Sequence, residues 1–126
     1  MLNISATTST PAVSWDKDAA TLTISGESYP ENSFAFFDPV FAWLSSELPA
    51  LKRFRLRVSV SYMNSSSTKC MLDIIDLVSE SAERGCDAAV VWLYDRDNER
   101  ARDLAEEFRE DVEIPFEIRP IEDPGR

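Results

Sequence analysis

Asn64-Ser65-Ser66-Ser67-Thr68-Lys69-Cys70-Met71-Leu72-Asp73-Ile74 joins two strongly patterned runs. Before it, Arg53 to Tyr62 alternates apolar and polar residues, as a strand does. After it, apolar residues recur at helical spacing as far as about Arg84. Five small polar residues at a strand-to-helix junction set hydroxyls beside the outward-pointing N–H groups of a first helical turn. Two readings follow. The hydroxyls and amide cap the helix and do no more, or the positive helix end holds a phosphate, bound or covalently attached.

Outward from that junction, the chain alternates strands and helices. Val13 and Trp15, then Leu22 and Ile24, alternate with polar residues around the turn Asp16-Lys17-Asp18, which predicts a hairpin closed by Gly26. Leu2 to Ser5 adds a short strand before it. Gly26 to Asn32 is rich in turn formers, and Asp38-Pro39 reads as a helix start, with Ser33 to Phe37 adding a turn in front. If that turn is helical, Pro39 kinks or breaks the element. Pro49 ends it. Phe54, Leu56, Val58, Val60 and Tyr62 face one side of the next strand, and Arg53, Arg55, Arg57, Ser59 and Ser61 the other. A strand with a polar face implies helices gathered mainly on one side of the sheet. Ala88 to Tyr94 is apolar on both faces and reads as a central strand; Ile114, Phe116 and Ile118 form the last. A helix from about Asn98 to Glu110 lies between them. The expected fold class is α/β: one domain over residues 1–126, a mixed sheet with an N-terminal β-hairpin, helices mainly on one face, and a solvated tail from about 120.

Composition narrows the function. The 126 residues suffice for one modest core, and 44% are hydrophobic, which argues against wholesale disorder. A net charge of −10 disfavours nucleic acid or an anionic membrane as partner. With no histidine, the commonest general base and metal ligand are missing. Cys70 and Cys86 are not spaced as a redox pair and are expected to be free thiols in a reducing cytosol. The apolar run Ala88 to Tyr94 is too short to span a bilayer, so a soluble cytoplasmic protein is expected. No apolar stripe is left over to demand a dimer, and the chain reads as a monomer when alone.

Three sites compete with the junction. Asp95, Asp97, Asn98 and Glu99 follow the central strand at its carboxyl end, where α/β folds place their sites. With Asp38 they would serve a small metal-dependent hydrolase or phosphatase, although capping of the following helix explains them as well. A calcium loop is excluded, because Arg100 stands where its glycine must be. A serine nucleophile activated by lysine within Ser66-Ser67-Thr68-Lys69 is disfavoured, because adjacent residues diverge by about 100° around a helix. Arg53, Arg55 and Arg57 form a basic stripe, which either pairs with acids on neighbouring strands or binds phosphate or an acidic partner. Glycine-rich phosphate loops are absent, with only three glycines in the chain.

Within the junction, the helical wheel separates the hydroxyls. Met71, Ile74, Ile75 and Val78 share the core face, and Ser67 projects toward it. Thr68 falls on the border beside Leu72 and Ser79, where a kinase can reach it and a partner can cover the apolar surface nearby. Thr68 is the first candidate for modification and Ser66 the second.

Gly26-Glu27-Ser28-Tyr29-Pro30-Glu31-Asn32, Phe37-Asp38-Pro39, Trp43-Leu44 and Tyr62-Met63-Asn64-Ser65-Ser66-Ser67-Thr68-Lys69 with Leu72-Asp73-Ile74 resemble the SiaC family of bacterial regulatory phosphoproteins. Glu113-Ile114-Pro115-Phe116 resembles it too, so the likeness spans nearly the whole chain. The resemblance implies a fold like the STAS domains of anti-sigma-factor antagonists. It implies a non-enzymatic partner-switching role in biofilm and aggregation control, without cofactor or metal. The resemblance further implies that a protein serine/threonine kinase phosphorylates a threonine that maps onto Thr68 and that a PP2C-type phosphatase removes the phosphate. In the implied scheme the unphosphorylated form binds a diguanylate cyclase and promotes cyclic-di-GMP synthesis. The expected partner surface is Asn64, Ser65, Ser66, Thr68, Lys69 and Leu72.

Overall fold

The computed structural model describes residues 2–121. The elements run β1 (Asn3–Ile4), β2 (Ala12–Asp16), β3 (Thr21–Ser28), α1 (Ser33–Glu47), a 3-10 turn (Leu48–Ala50), β4 (Arg53–Met63), α2 (Ser65–Glu83), β5 (Asp87–Tyr94), α3 (Glu99–Arg109) and β6 (Phe116–Pro120). One six-stranded sheet has its strands in sequence order, antiparallel from β1 to β3 and parallel from β3 to β6. Each βαβ unit steps one strand in the same direction. Right-handed crossovers repeated that way leave all three helices on one face.

Burial follows from this arrangement. Ile24, Val58 and Trp92 stand in one cross-strand row and Leu22, Leu56 and Val90 in the next, all essentially sealed beneath the helices. Thr23, Arg57, Val91 and Glu117 form a row on the opposite, helix-free face. The expected mixed sheet with its hairpin and one-sided helices is therefore present, and β5 lies between β4 and β6. Trp92 stacks between Phe108 and Phe116, with ring centroids 4.8 and 6.0 Å away. Its Nε1–H is buried without a hydrogen-bond partner, a cost of about 1–3 kcal/mol that the ring burial offsets.

Two local expectations are corrected. The first helix begins at Ser33, not at Asp38: Asn32 caps it, accepting from the Ala35 N–H at 3.0 Å. Pro39 lies inside the helix. Its missing N–H would have met the Ala35 carbonyl, and both residues are exposed, which leaves that acceptor on the solvent side of the helix. Phe37, Val40 and Leu44, all buried, hold the early turns against the core. Second, Gly26 does not close the hairpin. β3 continues to Ser28, with Gly26 at φ +115° beside an irregularity in the β3–β4 register. There Gly26 pairs with Val60 while Glu27 already pairs with Tyr62, so Ser61 is the extra residue of a bulge.

At the far end Ile121 N–H donates to the Tyr94 carbonyl at 2.7 Å, which carries ordered pairing past Pro120. The remainder of the expected tail, 122–126, lies outside the described residues. Among the described residues, no helix is long and apolar enough to cross a membrane.

Candidate functional site

The β4 bulge sets the geometry of the junction. Strict alternation would place Tyr62 in the core, but the extra residue inverts the pattern: Tyr62 is 53% exposed and Met63 is buried instead. Met63 anchors the strand end, and the next residue, Asn64, donates its N–H to the Ser28 carbonyl at 2.9 Å. Asn64 then caps α2, its Oδ1 accepting from the Ser67 N–H at 2.9 Å. Its Nδ2 donates to the Pro30 carbonyl at 3.2 Å.

Around this cap, four serine hydroxyls form a network linking three segments of chain. Ser67 is fully buried and its hydroxyl bonds those of Ser28, at 2.7 Å, and Ser33, at 2.9 Å. Ser66 donates to Ser33 at 2.7 Å, and Ser33 also reaches Asn64 Oδ1 at 3.3 Å. The end of β3, the first turn of α1 and the first turn of α2 are thus tied together by mutually satisfied polar groups. Of the hydroxyls at the α2 mouth, those of Ser66 and Ser67 are committed to this network.

Thr68 is placed differently. It is half-buried, and its Oγ1 donates only to the Asn64 carbonyl one turn back, at 3.1 Å. Helical side chains lean toward the N-terminus, so this oxygen sits over the first turn and its unpaired N–H groups. Leu72, one turn on, is 44% exposed. Lys69 is exposed and engaged by Asp73 at 3.0 Å. Ser65 is exposed. These burials agree with the helical wheel: Ser67 inside, Thr68 on the border.

Sequence reasoning missed the aromatic surroundings. Among the described residues five large apolar side chains are exposed. Three follow or precede members of this network in the chain, Tyr29 after Ser28, Phe34 after Ser33 and Tyr62 two residues before Asn64, and Leu72 lies one turn beyond Thr68. Tyr29 and Tyr62 meet edge-to-face at 5.9 Å. The run Ser28-Tyr29 and the pair Ser33-Phe34 were the available signals, each joining an aromatic residue to a small polar one. Tyr62 was hidden by the bulge.

The competing acidic reading finds no support. Asp38 is exposed on α1, while Asp95 lies in the connector after β5 and accepts from the Asp97 N–H at 3.0 Å. Asn98 caps α3, accepting from the Ala101 N–H at 3.1 Å. No group of three acidic or cysteine side chains among the described residues is arranged to hold a metal ion.

Comparison with known proteins agrees with the junction. Residues 4–121 match the model of the SiaC family regulatory phosphoproteins. This chain belongs to the SiaC family. An uncharacterised protein of Pseudomonas aeruginosa strain UCBPP-PA14 is 44% identical over 119 residues, covering 94% of both chains. A chain in the crystal structure of the diguanylate cyclase SiaD in complex with its activator SiaC, from Pseudomonas aeruginosa, superposes with a TM-score of 0.90 at 43% identity. That match covers 96% of this chain and 100% of the other. Apo-SiaC of the same organism gives 0.87 at 42% identity, covering 94% and 97%.

One further group near the SiaC-family junction has a shifted titration. Burial pushes the Cys70 thiol up, the Asp73 carboxylate adds to this, and Lys69 partly opposes it. Cys70 is fully buried and stays protonated near neutrality, so it supplies no nucleophile. Cys86 is half-buried, and both cysteines are free. With a disulfide-exchange reagent at mildly alkaline pH, the native protein is expected to release one equivalent of thiol quickly, from Cys86. The second should appear only on unfolding. Two fast equivalents would contradict the sealed site.

Proposed function

We propose that the unmodified chain binds and activates a diguanylate cyclase in the cytoplasm, promoting cyclic-di-GMP synthesis and with it biofilm and aggregate formation. Phosphorylation of Thr68 by a protein serine/threonine kinase releases the cyclase, and a PP2C-type phosphatase restores the binding form. The chain itself performs no chemistry. Its partner surface comprises Asn64, Ser65, Ser66, Thr68, Lys69 and Leu72, extended by Tyr29, Phe34 and Tyr62.

The observation that carries this reading is the position of Thr68: a hydroxyl half-buried at the mouth of α2, one turn from exposed Leu72, with the exposed Tyr29, Phe34 and Tyr62 grouped on the segments that the serine network ties to that mouth. Such a cluster on a strongly acidic chain is the kind of surface a protein partner covers. Phosphorylation adds about −1.5 to −2 charges. The α2 dipole offsets about 1 kcal/mol of the burial cost, and the adjacent cation, Lys69, is already paired with Asp73. Desolvating the remaining charge in an interface costs several kcal/mol. The likeness to a SiaC chain solved with a cyclase that it activates supports the choice of partner.

Intact mass spectrometry of the chain from its native host tests the modification. A species heavier by one phosphate, absent in Thr68→Ala and removed by a metal-dependent phosphatase, is expected. A phosphate that persists in Thr68→Ala would place the switch elsewhere. Tyr62→Ala, which removes an exposed ring from the platform without opening the core, is expected to weaken cyclase binding about tenfold. Binding unchanged by calorimetry would put Tyr62 outside the interface.

A further inference from the structure

The basic stripe of β4 does not belong to the Thr68 surface. Arg55 and Arg57 project from the helix-free face of the sheet, on the other side of the molecule from α2. Arg119 of β6 and Arg96 of the β5–α3 connector join them around an open depression of about 630 Å³. The sheet register explains the convergence. Arg57 pairs across to Val91, and Arg119 to Leu93, so the two arginines stand two strand spacings apart, about 10 Å, with a stagger of two residues, about 7 Å, along β5. Both arginines line the depression, with Val91 and Leu93 between them.

The charge distribution is the decisive feature. The chain holds 23 acidic and 13 basic residues, yet four arginines and no carboxylate line this depression among the described residues. Arg55 is engaged by Asp87 at 3.3 Å, and Arg119 by Glu117 at 2.9 Å. Arg57 and Arg96 have no ion-pair partner among the described residues. Guanidinium forks match phosphate oxygens two at a time, and two unneutralised forks call for a ligand with more than one phosphoryl oxygen pair. The floor is apolar: Val91 and Leu93 are half-buried, and Ile121, the fifth exposed apolar side chain, forms the rim. The volume lies within the range of small-molecule sites.

We propose that this depression binds a small polyphosphate-bearing anion of nucleotide size, its phosphates held by Arg57 and Arg96 and its ring laid on Val91 and Leu93. The confinement of these cations to one depression, on a chain of net charge −10, selects a compact ligand over a nucleic acid strand.

Calorimetric titration of the full chain at low salt with ADP, inorganic pyrophosphate, adenosine and a polyglutamate peptide tests this. ADP is expected to bind in the micromolar to millimolar range, and adenosine not at all. Arg57→Ala and Arg96→Ala should each weaken ADP about tenfold, with unchanged thermal unfolding because both side chains are exposed. Lys69→Ala, a cation on the other side, should bind as native. ADP tighter than pyrophosphate supports the full site, ring included; equal affinities support the arginine pair as a phosphate site and overturn the ring contact with Val91 and Leu93. Failure of both anions at millimolar concentration overturns it. So does binding that survives both arginine changes, or a preference for an acidic peptide over ADP. None of these results depends on Thr68 or on the cyclase.

Discussion

Thr68→Asp is expected to weaken cyclase binding several-hundredfold, while Thr68→Asn, its uncharged isostere, stays within about tenfold of the native protein. A loss of about 3–4 kcal/mol corresponds to that first factor. The carboxylate at this position would stand over the first turn of α2, where the helix dipole favours it by about 0.3–1 kcal/mol. The folded chain therefore tolerates the charge, and Thr68→Asp should unfold no lower than Thr68→Asn and up to a few degrees higher. The loss appears only when a partner strips water from the Leu72 side of the helix. Lys69 does not neutralise the new charge without leaving Asp73, to which it is bonded at 3.0 Å. Thr68→Ala forfeits only the hydrogen bond from Oγ1 to the Asn64 carbonyl and is expected to bind the cyclase yet resist the kinase. Calorimetry with purified cyclase distinguishes these outcomes. If Thr68→Asp binds as tightly as native, charge at this hydroxyl is not the switch.

Much of this geometry was legible because patterning and capping are local. The Asn64 cap, the helix-facing side of β4 through Val60, and the division between buried Ser67 and border Thr68 all follow from periods of two and 3.6 residues. One-sided helices followed from a strand with a polar face. What escaped was non-local. The β4 bulge arises from pairing with Gly26, a residue 34 positions earlier than Val60, and it turns Tyr62 outward against the alternation. The start of α1 was misread because Asp38-Pro39 is a strong local signal. It was outweighed by the burial of Phe37 and by the commitment of Ser33 to Ser66 and Ser67. Arg57 and Arg96 share a depression only after the sheet sets β5 between β4 and β6. Asp95 and Asp97, which with Asp38 offered a metal-dependent enzyme as the alternative to helix capping, share a turn in which Asp95 accepts from the Asp97 N–H.

Asn64→Ala is expected to lower stability by about 2–3 kcal/mol, two to three times the loss in Asn32→Ala or Asn98→Ala. All three residues cap a helix through the same bond, from Oδ1 to an N–H three residues on. Asn32 and Asn98 do little else. Asn64 also accepts from Ser33 Oγ and donates through Nδ2 to the Pro30 carbonyl, in a half-buried setting where the partners left behind are not readily resolvated. For a chain of this size about 3–5 °C accompanies each kcal/mol, so the unfolding midpoint should fall by about 10 °C. Asn64→Asp keeps the cap and the Ser33 bond but sets a carboxylate oxygen where Nδ2 had donated to the Pro30 carbonyl, and should recover only part of the loss. Thermal unfolding followed by circular dichroism measures all four variants. Because Tyr62 and Phe34 are positioned by the segments this network ties together, Asn64→Ala should also weaken cyclase binding, even well below its melting point. A variant that melts with Asn32→Ala would reduce Asn64 to an ordinary cap and leave the serine network without a structural role.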